Sequence, residues 1–301
     1  MESRRKVIVI LGPTASGKSS LAIKLARKFN GEIISADSRQ IYRGMNIGTG
    51  KVTRAEQRLA RHWMLDIVSP KTEYSVAKFK KAANLVIEDI LKRDKLPIIC
   101  GGTGFWIKAI VDNIQFPEVK PDWKLRKELE KESTKKLFQK LQKLDPKRAN
   151  TIDPQNKVRL VRALEICHSL GSVPPLRATQ TNTSNCNFLQ IGIALPKKKL
   201  DVRIAKRLEQ RFKQGMLREV RNLHFKKGTS WKRLEQFGLE YYWIARYLQR
   251  KITLVEMKEK LRLDIIHYAK RQMTWFRKDR RIKWLTSYSG IHKKVTEALQ
   301  E

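Results

Sequence analysis

The stretch GPTASGKSS, residues 12–20, narrows what this chain can become more than any other. It fits G-x-x-x-x-G-K-[ST], a loop that wraps phosphates and needs a strand before it and a helix after it. Both neighbours are legible. KVIVIL (6–11) is an unbroken apolar, β-branched run of the kind that forms a buried strand. SLAIKLARKF (20–29) then spaces its apolar residues helically. Gly12 and Gly17 let the backbone curl so that its N–H groups point inward at phosphate oxygens. The helix adds its positive end. Lys18 is placed to reach a terminal phosphate and Ser19 to hold Mg²⁺. Gly12, Pro13, Thr14, Ala15, Ser16, Gly17, Lys18 and Ser19 are therefore the candidate phosphate-binding residues.

The same alternation continues. GEIISAD (31–37) reads as a second strand. Residues 75–93 carry a helical stripe through Val76, Phe79, Ala83, Val86, Ile87 and Ile90. LPIIC (96–100) is a third strand, broken by GGTG. Strands alternating with helices predict an α/β fold, a parallel sheet flanked by helices on both faces. From about residue 117 the character changes. PEVKPDW is a Pro-rich joint, followed by Lys- and Glu-rich helical patterns in LRKELEKES, KKLFQKLQKL and KVRLVRALEICHSL. Asp153 and Pro154 suit the N-cap and first position of the last of these. Residues 171–187 are polar and loop-like, and FLQIGIAL (188–195) returns to strand composition. The economical reading is an α/β core of 1–116 and 188–301 with a helical insertion at 117–187. Long helical runs are expected at 201–226, 239–249 and 254–277.

Charge bears on the partner. Lys and Arg number 65 against 29 Asp and Glu, a net charge of +36. Such an excess over a folded chain points to a polyanion. No run of 18 apolar residues is present, and no long amphipathic helix with a Trp/Leu face announces a membrane surface. The basic, then briefly apolar start leads straight into the phosphate loop and reads as a strand rather than a signal peptide. Cys100, Cys167 and Cys186 are far apart and form no zinc pattern, as expected of a reduced cytoplasmic protein.

The predicted strand ends carry the chemistry. Asp37 falls at the carboxyl end of the second strand, the edge at which open parallel sheets bind ligands. It suits a general base, a Mg²⁺ ligand or a turn former. In nucleotide-hydrolysing proteins an apolar strand commonly ends in an acid that holds Mg²⁺. Here IICGGTG (98–104) ends in Gly-Gly-Thr, and Thr103 offers a hydroxyl instead. LDI (65–67) is a weak substitute for that acid. A strong phosphate loop without its hydrolytic partner suggests that the phosphates are a leaving group.

GPTASGKSS, SADSRQIYRGMNIGTGK (35–51), DIVSPKTEYSVAKF (66–79), CGGTGFWIKAI (100–110), RLVRALEI (159–166) and AKRQMTWFR (269–277) together resemble the bacterial tRNA dimethylallyltransferases, or tRNA isopentenyltransferases, in the same order over about residues 6–285. The resemblance implies a phosphate-loop core with a helical insertion that grips the tRNA anticodon stem-loop. It implies transfer of a dimethylallyl group from dimethylallyl diphosphate to N6 of the adenine on the 3′ side of the anticodon, with Mg²⁺. Lys18, Asp37 and Thr103 would then be catalytic, Asp37 taking the proton of the adenine amine. Asp37, Ser38, Arg39, Gln40 and Thr103 would meet the flipped base. Arg159, Leu160 and Arg162 match a segment that touches tRNA, and Lys270, Arg271, Arg277 and Arg280 are the basic candidates of the tail. Met273, Trp275 and Phe276 are read as core, and His62 as structural. The chain departs from the family in GLEYY (238–242), where Tyr242 stands in place of an Arg against RNA. The protein is expected to act as a monomer. Three rivals remain: a small-molecule kinase, an adenylate isopentenyltransferase taking a free nucleotide, and a non-catalytic RNA-binding module.

Overall fold

The computed structural model describes residues 5–176 and 186–300. Part of the predicted polar loop, 177–185, lies outside the described residues. The chain forms two compact units, residues 1–113 with 181–301, and residues 114–180. The second unit thus spans slightly earlier residues than the predicted 117–187, because the strand expected at 188 begins at Cys186.

The first unit is built on one sheet. Its strands are β1 (Arg5–Leu11), β2 (Gly31–Ser35), β3 (His62–Trp63), β4 (Leu96–Gly101), β5 (Cys186–Ile193) and β6 (Lys283–Leu285). They lie in the order β3-β2-β4-β1-β5-β6, every pairing parallel. The predicted parallel α/β sheet is therefore present, extended by two short edge strands that carry too few residues to show a period. Helices α1 (Lys18–Lys28), α2 (Arg54–Leu59), α3 (Val76–Lys92) and α4 (Gly104–Val111) fill its first half.

Both faces of the sheet are covered, which explains the unbroken apolar sequence of β1. Val7, Val9 and Leu11 point into one core with Phe79, Ile87, Trp106 and Ile107. Ile8 and Ile10 point into another with Leu21, Ala22, Leu25 and Ala26 of α1. The period of two sends alternate residues to opposite sides.

The second unit contains α5 (Trp123–Leu129), α6 (Thr134–Leu144), α7 (Pro146–Ala149) and α8 (Lys157–Leu170). Leu129, Leu137, Leu141, Leu160 and Leu164 make its core. Beside that core, Glu165 is buried and accepts from Arg126 at 2.8 Å, from the Asp122 N–H at 2.7 Å and from Arg162. Burial pushes its carboxylate up, but these bonds outweigh burial and hold it below the ordinary range. The expected cap at Asp153 is corrected: Asn156 caps α8, its side chain accepting from the Arg159 N–H, while Asp153 accepts from Gln155 in the preceding turn.

The chain then returns to the first unit with α9 (Lys197–Lys213), α10 (Met216–Phe225), α11 (Trp231–Phe237), α12 (Leu239–Leu248), α13 (Leu254–Phe276) and α14 (Tyr288–Gln300). The single run expected at 201–226 is two helices. Gly215, at φ 95°, turns the chain in the left-handed region between them.

At the start of β2, the buried Glu32 accepts from Arg93 at 2.6 and 2.8 Å, from Lys95 at 2.9 Å and from the Trp63 indole at 2.8 Å. The bonds from Arg93 hold its carboxyl down at about 2. Because this value lies below that of the unfolded chain, the stability it contributes is complete above about pH 4.5 and is lost as pH falls toward 2. Glu32→Ala removes the carboxylate that Arg93, Lys95 and the Trp63 indole share, leaves the indole N–H without that acceptor, and is expected to destabilise the protein by about 2 kcal/mol. Thermal melts of the variant and the parent at pH 7 test this, and the gap between them should narrow on acidification.

Candidate active site

Three strands end side by side. β1 pairs Leu11 with Gly101 of β4, and β2 pairs Ser35 with Cys100. The loops that follow these strands, at 12–17, 36–40 and 102–103, therefore share one edge. The backbone joins them further: the Ala36 N–H donates to Cys100 O at 2.9 Å and the Thr103 N–H to Ala36 O at 3.2 Å.

The phosphate loop has the backbone that its sequence predicts. Gly12 at φ 145° and Gly17 at φ 99° occupy regions that favour glycine, and a Cβ on Gly12 would sit 2.9 Å from the Ile193 carbonyl oxygen. Ala15 adopts the left-handed region at φ 61°. Pro13 is buried, Thr14 and Ser19 are half-buried, and Ser16 is buried. The Ser16 Oγ has no hydrogen-bond partner among the described residues. Such an orphaned donor inside a polar cradle is what an anion would satisfy. Lys18 donates to Pro13 O at 2.6 Å across the loop. Burial pushes its ammonium down to about 8, with Arg207 adding to that and Cys100 and Asp37 opposing it.

The loop after β2 lies across β4 from the phosphate loop. Asp37 is half-buried, and its Oδ1 accepts from the Arg39 N–H at 2.9 Å. The Ser38 N–H donates to Thr103 Oγ1 at 3.1 Å, which ties the Asp37 segment to the turn after β4. Arg39 donates through Nε to Phe237 O at 2.9 Å and lies over the Phe237 ring. Burial pushes its guanidinium below the ordinary arginine value. Gln40 accepts from the Ser35 hydroxyl at 3.0 Å and donates to Gly50 O at 3.4 Å, so both arms of its amide bond within the protein.

Sequence reasoning missed a row of arginines. Arg203, Arg207 and Arg211 follow one another at helical i, i+4 spacing on α9. Arg203 reaches Ser16 O and Arg207 reaches Thr14 Oγ1, both at 3.4 Å. Burial and the neighbouring Arg211 push Arg207 down to about 10. Arg211 pairs with the buried Glu240 at 2.7 Å. The spacing was readable, but nothing in the sequence said which face of α9 meets the loop. Gln272 was also missed: it is buried on α13 between the phosphate loop and the turn after β4.

Other expectations need sorting. Asp66, the weak substitute for a strand-end acid, is paired with Lys51 at 2.6 Å. Arg159 is exposed on α8. Leu160, expected to meet RNA, is instead fully buried in the core of its unit, so its side chain presents no surface. Arg162 donates to Glu165 and to Val119 O at 3.0 Å, a structural commitment. Lys270, Arg271, Arg277 and Arg280 are exposed along the tail. Of the three aromatic or sulfur residues read as core, Phe276 is buried and Met273 half-buried, but Trp275 is 41% exposed. His62 lies in β3, where burial pushes its imidazole down and Nδ1 meets Ala60 O at 2.8 Å. Tyr241 is buried and donates to Glu219 at 2.8 Å, while the Tyr242 hydroxyl accepts from Arg246 at 3.3 Å.

Among the described residues no group of three or more His, Cys, Asp or Glu side chains could hold a metal. A lone Ser19 hydroxyl beside a phosphate cradle fits Mg²⁺, which keeps several waters and takes other ligands from substrate phosphates.

The family model described as IPP transferase matches residues 40–279. The tRNA dimethylallyltransferase of Acetivibrio thermocellus is 42% identical over 286 residues, covering 93% of this chain and 91% of that protein. That of Halothermothrix orenii is 38% identical over 301 residues, covering 98% and 92%. Among solved structures, the full-length tRNA isopentenylpyrophosphate transferase from Bacillus halodurans superposes with a TM-score of 0.73 at 33% identity, covering 99% of this chain and 97% of that one. A eukaryotic dimethylallyltransferase acting on tRNA superposes with a TM-score of 0.78 at 28% identity, covering 95% and 75%.

Lys18 binds an anion only when protonated, so inorganic diphosphate should lose affinity as pH rises above about 8, taking up a proton as it binds. Lys18→Met should weaken binding by about 10- to 100-fold and remove that part of the pH dependence. Calorimetry of both proteins from pH 7 to 9.5 provides the comparison.

Proposed function

Because the chain belongs to the IPP transferase family, whose relatives are tRNA dimethylallyltransferases, we propose that it moves a dimethylallyl group from dimethylallyl diphosphate to N6 of the adenine on the 3′ side of a tRNA anticodon. It is an enzyme, a prenyltransferase that modifies tRNA. The observation that carries the finer reading is the shared edge: a cationic phosphate loop on one side, Asp37 on the other, and no strand-end acid between them.

The steps follow from these residues. Lys18, Arg207, Arg203 and the loop N–H groups hold the diphosphate and stabilise the charge that grows as the C1–O bond breaks. The N6 lone pair of adenine attacks C1, forming the N–C bond. Asp37 takes the amine proton as that nitrogen becomes positive. The Thr103 hydroxyl, fixed by the Ser38 N–H, serves the diphosphate near the breaking bond. Bound Mg²⁺, with Ser19 as its protein ligand, would neutralise diphosphate charge. The adenine leaves its stack to reach this edge, with Ser38 and Arg39 beside it.

The partner is proposed from charge. A net charge of +36 leaves many cations without an acid, as RNA binding requires. Arg159 and the exposed Lys270, Arg271 and Arg277 are the proposed phosphate contacts. A free nucleotide would give the second unit no task. No helix among the described residues is long and apolar enough to cross a membrane. We assign the protein to the cytoplasm, where tRNA is, acting as a monomer.

Incubation with dimethylallyl diphosphate, Mg²⁺ and unmodified tRNA carrying adenosine next to the anticodon should add one prenyl mass to that nucleoside. ATP turnover without a prenylated product would overturn the reading. Asp37→Asn should lower kcat by about 10²- to 10⁴-fold while tRNA affinity is unchanged. Arg159→Ala should weaken tRNA binding and reduce the slope of log affinity against log salt by about 1.

A further inference from the structure

We propose that Gln272 is a positioning residue that locks the phosphate loop in register with the turn carrying Thr103, so that leaving group and proton acceptor share one rigid frame. The inference rests on the proposed prenyl transfer. Gln272 is only 6% exposed, in the middle of α13. Its Oε1 accepts from the Thr14 N–H at 2.8 Å, and its Nε2 donates to Gly102 O at 2.8 Å. A carboxamide accepts on one arm and donates on the other without carrying a charge, and these two partners fix which arm is which.

The placement is costly and specific. An amide in a core needs both arms satisfied, whereas a methionine of similar shape would need neither. Gly102 has no Cβ, and one added there would run into the Gln272 amide nitrogen. One turn along the same helix, Trp275 lies against Gly104, where an added Cβ would likewise collide. α13 thus presses on Gly102 and Gly104 of the GGTG turn, and Gln272 bonds across it to the phosphate loop. The next residue, Thr103, accepts from the Ser38 N–H and so extends the link to the Asp37 segment. A displacement of about 1 Å between reacting groups costs on the order of 100-fold in rate. The amide is therefore placed where its loss would be felt in catalysis and in diphosphate binding.

Two variants test this. Gln272→Met keeps the length and removes both bonds. Gln272→Glu keeps an acceptor for Thr14, loses the donor to Gly102 and adds a charge beside the anion. Expected for Gln272→Met are an inorganic-diphosphate affinity about tenfold weaker and a kcat lower by about 10- to 100-fold, with KM for tRNA unchanged. Gln272→Glu should lose more diphosphate affinity than Gln272→Met. Parental diphosphate affinity and kcat in folded Gln272→Met overturn the proposal, as does a change confined to KM for tRNA. Should Gln272→Met fail to fold, parental diphosphate affinity in Gln272→Glu overturns it equally. A parent that binds inorganic diphosphate yet transfers no prenyl group refutes the proposed reaction alone, and the affinity comparison still decides the role of Gln272.

Discussion

The structure depends on the clamping of β1 between β4 and β5. Seven residues of β1 pair with β5, from Arg5 with Cys186 to Leu11 with Gly192, and four pair with β4. Because alternate residues of β1 enter two different apolar cores, the strand is held from both faces as well as both edges. Its register sets where the phosphate loop emerges. That loop then needs a backbone at Gly12 able to pass close to the Ile193 carbonyl. β2 reaches the same edge through β4, which places the Asp37 and Thr103 loops beside it without any contact of their own being required first.

Around that edge the protein maintains a charge imbalance. Lys18 and Arg207 are both pushed down by burial, so holding them charged costs folding energy. Of the three α9 arginines, Arg211 is the one paired with an acid among the described residues, and that acid, Glu240, is itself pushed up by burial although Arg211 opposes the shift. An anion bound in the cradle, as proposed, would relieve the imbalance. A second cradle of N–H groups shows the contrast. The amides of Asn46, Ile47 and Gly48 all donate to Glu219, at 2.7–3.0 Å. That cradle is filled from within and so is structural. In the phosphate loop the Ser16 hydroxyl has no such partner among the described residues, in keeping with the ligand proposed for that cradle.

What the sequence made legible follows the range of each signal. The phosphate loop, the helix over 75–93 and the apolar strands were readable because their patterns are local and strongly periodic. The short edge strands at His62–Trp63 and Lys283–Leu285 exist only because a neighbour is there to pair with. Leu160 was misplaced because its two arginine neighbours drew it toward the surface, although the helical period puts it in the core between them. Asp153 lost the cap of α8 to Asn156, which sits three residues before the Arg159 N–H that its side chain accepts from. Arg207 and Gln272 were invisible as site residues since each reaches the loop over more than 190 residues of chain. Spacing on one helix cannot state what that helix packs against.

The absence of an acid after β4 has a structural counterpart that favours transfer over hydrolysis. A hydrolytic site needs a carboxylate there to hold metal and water. In this chain the turn is committed to other bonds: Gly102 to Gln272, Thr103 to Ser38 and to the Ala36 carbonyl. Asp66 is no substitute, because Lys51 holds it while also bonding Tyr42 O and Asn46. The remaining acid, Asp37, follows β2, and β4 lies between that strand and β1, which carries the phosphate loop. In the proposed reaction that carboxylate would receive the proton of a nucleophile approaching across the turn.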